Sequence, residues 1–213
     1  MRTTRTLILS LLAVFAFSAV ASASASAFSL RWHVNGAEAA GQEVESAGGA
    51  FTLTAGGKVV TCTAVADTGN VEASGKDLAK TITFTGCTAD AKACTAESGA
   101  VKGTIAVTNI PTQLKKAEGK LVDNFEQKEV APGKFEFVTL KFDKSGAACP
   151  NFPETKVKGG VAAEVENLAG GEVELNFLAA GIEGDTLEAF GVEATLQGKD
   201  TEHLTAGGTL EGV

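Results

Sequence analysis

The sequence predicts an all-β protein: a single antiparallel β-sandwich or barrel of about ten or more short strands, with little helix, preceded by a signal peptide. Three observations carry this. Apolar residues recur with a period of two in one short run after another, the pattern of half-buried strands. Glycine supplies 25 of the 213 residues and falls, often in Gly-Gly pairs, between those runs, where tight turns use it. Beyond the N-terminal segment no stretch sustains a helical apolar stripe, so helix is expected only as one turn near Pro111 to Ala117.

The N-terminal segment has the three parts of an export signal. Arg2 and Arg5 come first with no acid, Leu7 to Val20 is apolar apart from Ser10 and Ser18, and Ala21 to Ala27 alternates Ala and Ser. It ends in the A-x-A site Ala25-Ser26-Ala27. An apolar helix of this length reaches about 21 Å, short of the roughly 30 Å hydrocarbon core of a bilayer. The expected organisation is therefore a signal peptide at 1–27 and one β domain at 28–213, exported to the medium or the cell envelope, with no transmembrane segment in the mature form.

The strands follow in order. Phe28, Leu30, Trp32 and Val34 alternate with polar residues and run into Asn35-Gly36, a dipeptide suited to a type I′ hairpin turn. Alternation recurs at Phe51 to Leu53, Lys58 to Val65, Lys80 to Thr85, Gly103 to Thr108 and Lys120 to Phe125. It continues at Lys134 to Phe142, Lys156 to Val165, Glu172 to Phe177 and Val192 to Leu196. Phe135 and Phe137 share one parity while Val138, Leu140 and Phe142 share the other, which predicts a β-bulge near Phe137 and Val138. The pentapeptide Leu-Thr-Ala-Gly-Gly occurs at Leu53 to Gly57 and again at Leu204 to Gly208, and reads as a reused hairpin corner. No Pro-rich or Ser-rich linker divides the chain.

Charge excludes one class of partner. The whole chain carries 18 basic and 26 acidic residues; without Arg2 and Arg5 the mature part is more acidic still, with Arg31 as its sole arginine. Such a surface lacks the basic patches and guanidinium forks that bind phosphate, so nucleic acid is not an expected partner. The four cysteines of an exported chain are expected to form two disulfides. Of the three possible pairings, Cys87 with Cys94 across a short polar loop is favoured, leaving Cys62 with Cys149. No C-x-x-C pair occurs, and His33 and His203 stand far from the cysteines, so no metal site is expected.

Several of these segments share a pattern with known sequences. Val60-Thr61-Cys62, Thr81 to Cys87, Cys94 and Gly103-Thr104-Ile105, with Val157 to Gly160 and Phe190 to Leu196, resemble a family of uncharacterised secreted bacterial β-domain proteins. The resemblance implies a common extracellular fold and no activity.

Chemistry has few footholds in the sequence. There is no G-x-S-x-G nucleophile elbow. His33 reads as a solvent-facing strand residue and His203 as a loop residue after Asp200 and Glu202. The densest acids, Glu183, Asp185 and Glu188, read as a solvated turn; they match no calcium-loop spacing. Trp32 is the one tryptophan and tyrosine is absent, which disfavours an aromatic sugar platform. No catalytic, cofactor-binding or metal-ligating residue is therefore expected. The expected function is a non-catalytic exported binding or structural domain, its partner an envelope component or a small ligand. One alternative is a carrier holding an apolar ligand in a barrel lined by Phe84, Phe135, Phe137, Phe142 and Phe177, although the Gly-x-Trp opening of lipocalins is missing. Another is an acid-pair hydrolase, which requires two carboxylates converging in a cleft.

Overall fold

The computed structural model describes residues 29–90, 94–143, 149, 151–178 and 180–213. The expected signal peptide, 1–27, and Phe28 lie outside these residues. The first strands are β1 (Trp32–Val34), β2 (Ala37–Glu38), β3 (Gln42–Gly48), β4 (Phe51–Ala55), β5 (Lys58–Cys62), β6 (Ala64–Val71) and β7 (Lys76–Thr85). There follow β8 (Thr88–Ala89), β9 (Cys94–Glu97), β10 (Thr104–Ala117), β11 (Lys120–Glu126), β12 (Lys128–Ala131), β13 (Lys134–Glu136) and β14 (Val138–Phe142). The last are β15 (Thr155–Val157), β16 (Gly160–Asn167), β17 (Val173–Phe177), β18 (Glu188–Ala189), β19 (Val192–Leu204) and β20 (Leu210–Gly212).

Eight of these strands close a barrel. β3, β6, β7, β10, β11, β16, β17 and β19 pair antiparallel in that order, and β19 returns to β3. Their order around the barrel is their order along the chain, an up-and-down arrangement in which every edge is used. The choice between sandwich and barrel, open in the sequence, is thus a barrel.

The excursions between barrel strands build a second ring. β19 pairs β4 through Ala194 to Gln197, and pairing passes from β4 to β5, β8, β9, β14 and β15. The bridge Lys158↔Glu188 and the β18–β19 pair bring it back to β19. With 13 residues, β19 is long enough to serve both rings. A three-stranded sheet, β2-β1-β20, lies across the opposite end of the barrel. There Trp32 is fully buried, and the Gly212 backbone passes so close to Leu121, Val165 and Trp32 that a Cβ would sit 2.7 Å from Leu121.

Local chemistry explains several elements. Asn35 and Gly36 take φ of 52° and 77° between β1 and β2, the left-handed pair that a type I′ turn needs. The first Leu-Thr-Ala-Gly-Gly makes the β4–β5 corner, with Gly56 and Gly57 at positive φ; the second turns the chain from β19 toward β20. In the predicted strand Lys58 to Val65, the pairing breaks at Thr63, which separates β5 of the second ring from β6 of the barrel. At Phe137 the chain likewise leaves β13 and enters β14, so the change of parity falls between two strands.

Two expectations are corrected. Pro111 to Ala117 is not a helical turn but the second half of β10, where Ile110, Thr112 and Leu114 are buried and Pro111 faces out. The disulfides join Cys62 to Cys87 and Cys94 to Cys149, not Cys87 to Cys94 and Cys62 to Cys149. Register is the reason. β5 and β8 align Val60 with Ala89 and Thr61 with Thr88, and one step further sets Cys62 opposite Cys87. β8 and β9 align Ala89 with Cys94, which removes Cys94 from the reach of Cys87. Two bridges, as expected, are present and suit an oxidising environment.

Candidate functional site

The barrel interior follows from strand parity. β3 turns Val44 and Ser46 inward, β6 turns Val65, Asp67, Gly69 and Val71, and β19 turns Leu196, Gly198, Asp200, Glu202 and Leu204. The cross-strand partners agree: Ser46 stands between Asp67 and Glu202, and Leu175 beside Asp200. In β7 and β10 the inward face changes partway. Phe84 and Ile82 pair Ile105 and Val107, whereas Ala79 and Asp77 pair Ile110 and Thr112. Asn109, at φ 55°, marks the switch in β10.

These rules place five carboxylates inside the barrel: Asp67, Asp77, Asp123, Asp200 and Glu202. Asp123, Asp200 and Glu202 are buried, Asp123 completely. The ion pairs found among the described residues all involve other acids, and those on the barrel strands sit on its outer face. Lys80–Glu43, Lys115–Glu126, Lys120–Glu164 and Lys199–Glu174 are examples. The outer face of the barrel thus carries paired charges, unlike the apolar lipid-facing band of membrane barrels. No helix among the described residues is long and apolar enough to cross a membrane.

Burial dominates the electrostatics of the belt. It pushes the carboxyl of Asp67 up to about 6, opposed in part by the polar Ser46 hydroxyl close by. It pushes Asp123 and Asp200 each up to about 7. Asp77 and Glu202 are raised well above the usual carboxylate range, first by burial and then by repulsion from neighbouring acids. The Ser46 hydroxyl donates to Asp200 Oδ2 at 2.8 Å. Asp200 Oδ1, both oxygens of Asp123 and Glu202 Oε2 are buried without a hydrogen-bond partner.

Above the belt, toward the second ring, lies an apolar cavity of about 110 Å³. Phe51, Phe84, Phe125 and Phe177 form its wall, with Phe51 edge-on to both Phe84 and Phe177 at 5.5 Å between centroids. Phe137, Leu140 and Leu196 close the side of the second ring, while Asp67 and Asp200 form the floor. Gly198 makes room for Phe51, since a Cβ there would lie 2.5 Å from the ring.

Of the phenylalanines expected to line a barrel, Phe84, Phe137 and Phe177 do so. Phe135 is instead 48 % exposed on the β12–β13 hairpin. Phe142 packs with Phe152 and Phe190 in the second ring, at 5.1 and 5.8 Å. His33 is half-buried in β1. His203 is not in a loop; it lies in β19, with Nε2 3.2 Å from Glu45 Oε1. The acids of 183–188 do not form one group. Asp185 accepts backbone N–H bonds from Ile182 and Ala162, its carboxyl raised by partial burial, while Glu188 pairs with Lys158. No cluster of metal-ligating side chains occurs among the described residues.

The acids densest along the sequence are not the ones gathered inside the barrel. An acid standing in the apolar phase of an alternating run marks those, as in Leu121-x-Asp123-x-Phe125 and Val65-x-Asp67. Fold and site together define an eight-stranded up-and-down barrel with an apolar chamber over a buried acidic belt. The chain matches no protein-family model, no curated protein and no solved structure.

Proposed function

We propose that the protein is a non-catalytic, exported binding domain that holds a small, predominantly apolar ligand inside its barrel. The observation that carries this reading is the cavity of about 110 Å³, walled by phenylalanine and aliphatic side chains. An apolar cavity of about 150 Å³ stays dry and takes up benzene; at about 110 Å³ this chamber suits a short alkyl chain as it stands, or a single ring once its phenylalanine walls give slightly. Export rests on the leader at 1–27 and is supported by the two disulfides. Against the hydrolase alternative, the five carboxylates of the belt lie between the Trp32 end and the phenylalanine chamber and not in an open cleft.

The test is native against denaturing mass spectrometry of the protein recovered from its own host. A discrete additional mass in the native spectrum alone supports the binding reading. A bare mass, together with no rise in melting temperature in benzene-saturated buffer, refutes it. A mass that still includes Met1 to Ala27 refutes export.

A further inference from the structure

The floor of the cavity does not match its walls. Nearly everything that faces the chamber is apolar, yet Asp67 and Asp200 face it from below. Asp200 is only 5 % exposed, and while Ser46 satisfies its Oδ2, its Oδ1 has no partner. Behind it stand Asp123, with both oxygens unpartnered, and Glu202. No lysine, arginine or histidine pairs with any of these acids among the described residues. A buried acceptor without a partner is costly, and a cluster of them under an apolar chamber is an unanswered demand for hydrogen-bond donors and positive charge.

The chemistry of the missing partner follows. An anionic ligand such as a fatty acid would add to the repulsion. A neutral hydrocarbon would fill the chamber and leave Asp200 Oδ1 as it is. A protonated amine on a small apolar body satisfies both halves: its body occupies the space among Phe51, Phe84 and Phe177, and its ammonium points down at the carboxyl groups of Asp67 and Asp200, of which Asp67 is the less buried. We propose that the ligand is a small cationic amphiphile of this kind, an aryl- or alkylamine. The inference rests on the cavity being a binding site and adds which end of the ligand points down.

The experiment uses the mature protein with its disulfides intact and three probes of nearly one shape: benzylamine, benzyl alcohol and benzoate, titrated by calorimetry at neutral pH. The expected order is benzylamine first, by roughly tenfold or more over the alcohol, as a charge-assisted hydrogen bond implies, with benzoate not detected. In Asp200→Asn the preference for the amine collapses while affinity for the alcohol is kept. Asp67→Asn is a second variant that leaves the Ser46–Asp200 bond in place, and it should weaken the amine alone. Binding of the alcohol with no preference for the amine overturns the cationic ligand and leaves the cavity reading standing. Failure of all three probes, and of benzene, overturns both. If Asp200→Asn fails to fold, the order of the three probes on the natural protein and their response to Asp67→Asn still decide the matter.

Discussion

Replacing Asp123 by asparagine takes one titrating group out of the barrel interior and keeps its shape. Asp123 is completely buried, and burial raises its carboxyl from 3.8 to about 7. In the folded state it therefore holds its proton more tightly than in the unfolded chain. The associated stability is fully present below pH 3.8 and is lost as pH rises through about 7. About three pH units at 1.36 kcal/mol each amount to about 4 kcal/mol. Asp77, Asp67, Asp200 and Glu202 share the interior and act in the same direction. The comparison of natural protein with Asp123→Asn reports the contribution of Asp123 together with the relief its removal gives Asp77 and Glu202, whose carboxyls its charge helps to raise. The two should be nearly equal in stability at pH 4, and the variant should be more stable by up to about 4 kcal/mol at pH 8, or roughly 8–16 °C in Tm. Trp32, the only tryptophan in the chain and fully buried, reports unfolding by fluorescence in urea titrations at each pH. Parallel pH profiles for the two proteins would refute the argument, as would a variant that is the less stable at pH 8.

Other expectations follow from packing and cross-links. Gly198→Ala drives a Cβ to within 2.5 Å of the Phe51 ring and should cost about 1–3 kcal/mol in denaturant unfolding; no loss would mean that Phe51 is free to move. Phe177→Ala removes a wall of the cavity and should cost about 3–5 kcal/mol while admitting probes larger than benzene, read by calorimetry. Peptide mapping without reduction should find Cys62 linked to Cys87 and Cys94 to Cys149, at sequence separations of 25 and 55. Loss of each bridge should cost about 3.5 and about 4 kcal/mol in the chain-entropy model; a Cys87–Cys94 peptide would contradict the register of β8 and β9.

Much of the fold could be read from local patterns because strands announce themselves locally. The hairpin at Asn35-Gly36, the runs at Lys120 to Phe125 and Glu172 to Phe177, and the scarcity of helix all depend on neighbours in sequence. What depends on distant neighbours was hidden. The cysteine pairing is set by how β5, β8 and β9 align, and loop length carries no record of that. Pro111 is tolerated in β10 because the pairing with β11 begins only at Thr112, a register that local sequence does not disclose. The acidic belt was concealed because Gly198 to His203 is polar nearly throughout, and only closure of the barrel turns Asp200 and Glu202 inward while Lys199, Thr201 and His203 face out. Phe135 and Phe142 show the opposite error: both have the chemistry of a cavity wall, and the topology carries them elsewhere.

The long strand β19 also governs when the molecule can come into being. It is the common stave of two hoops, and its partners in them, β3 and β4, precede it by some 150 residues; Ser46 and Asp200 are 154 apart. Until 192–204 are in place, β3 and β17 leave open edges in the barrel and β4 leaves one in the second ring. Closure is therefore a late, long-range event, which makes slow folding the expectation. Under the export proposed above, with the chain crossing a membrane unfolded, that delay would be an advantage, because neither hoop can close before the stave arrives.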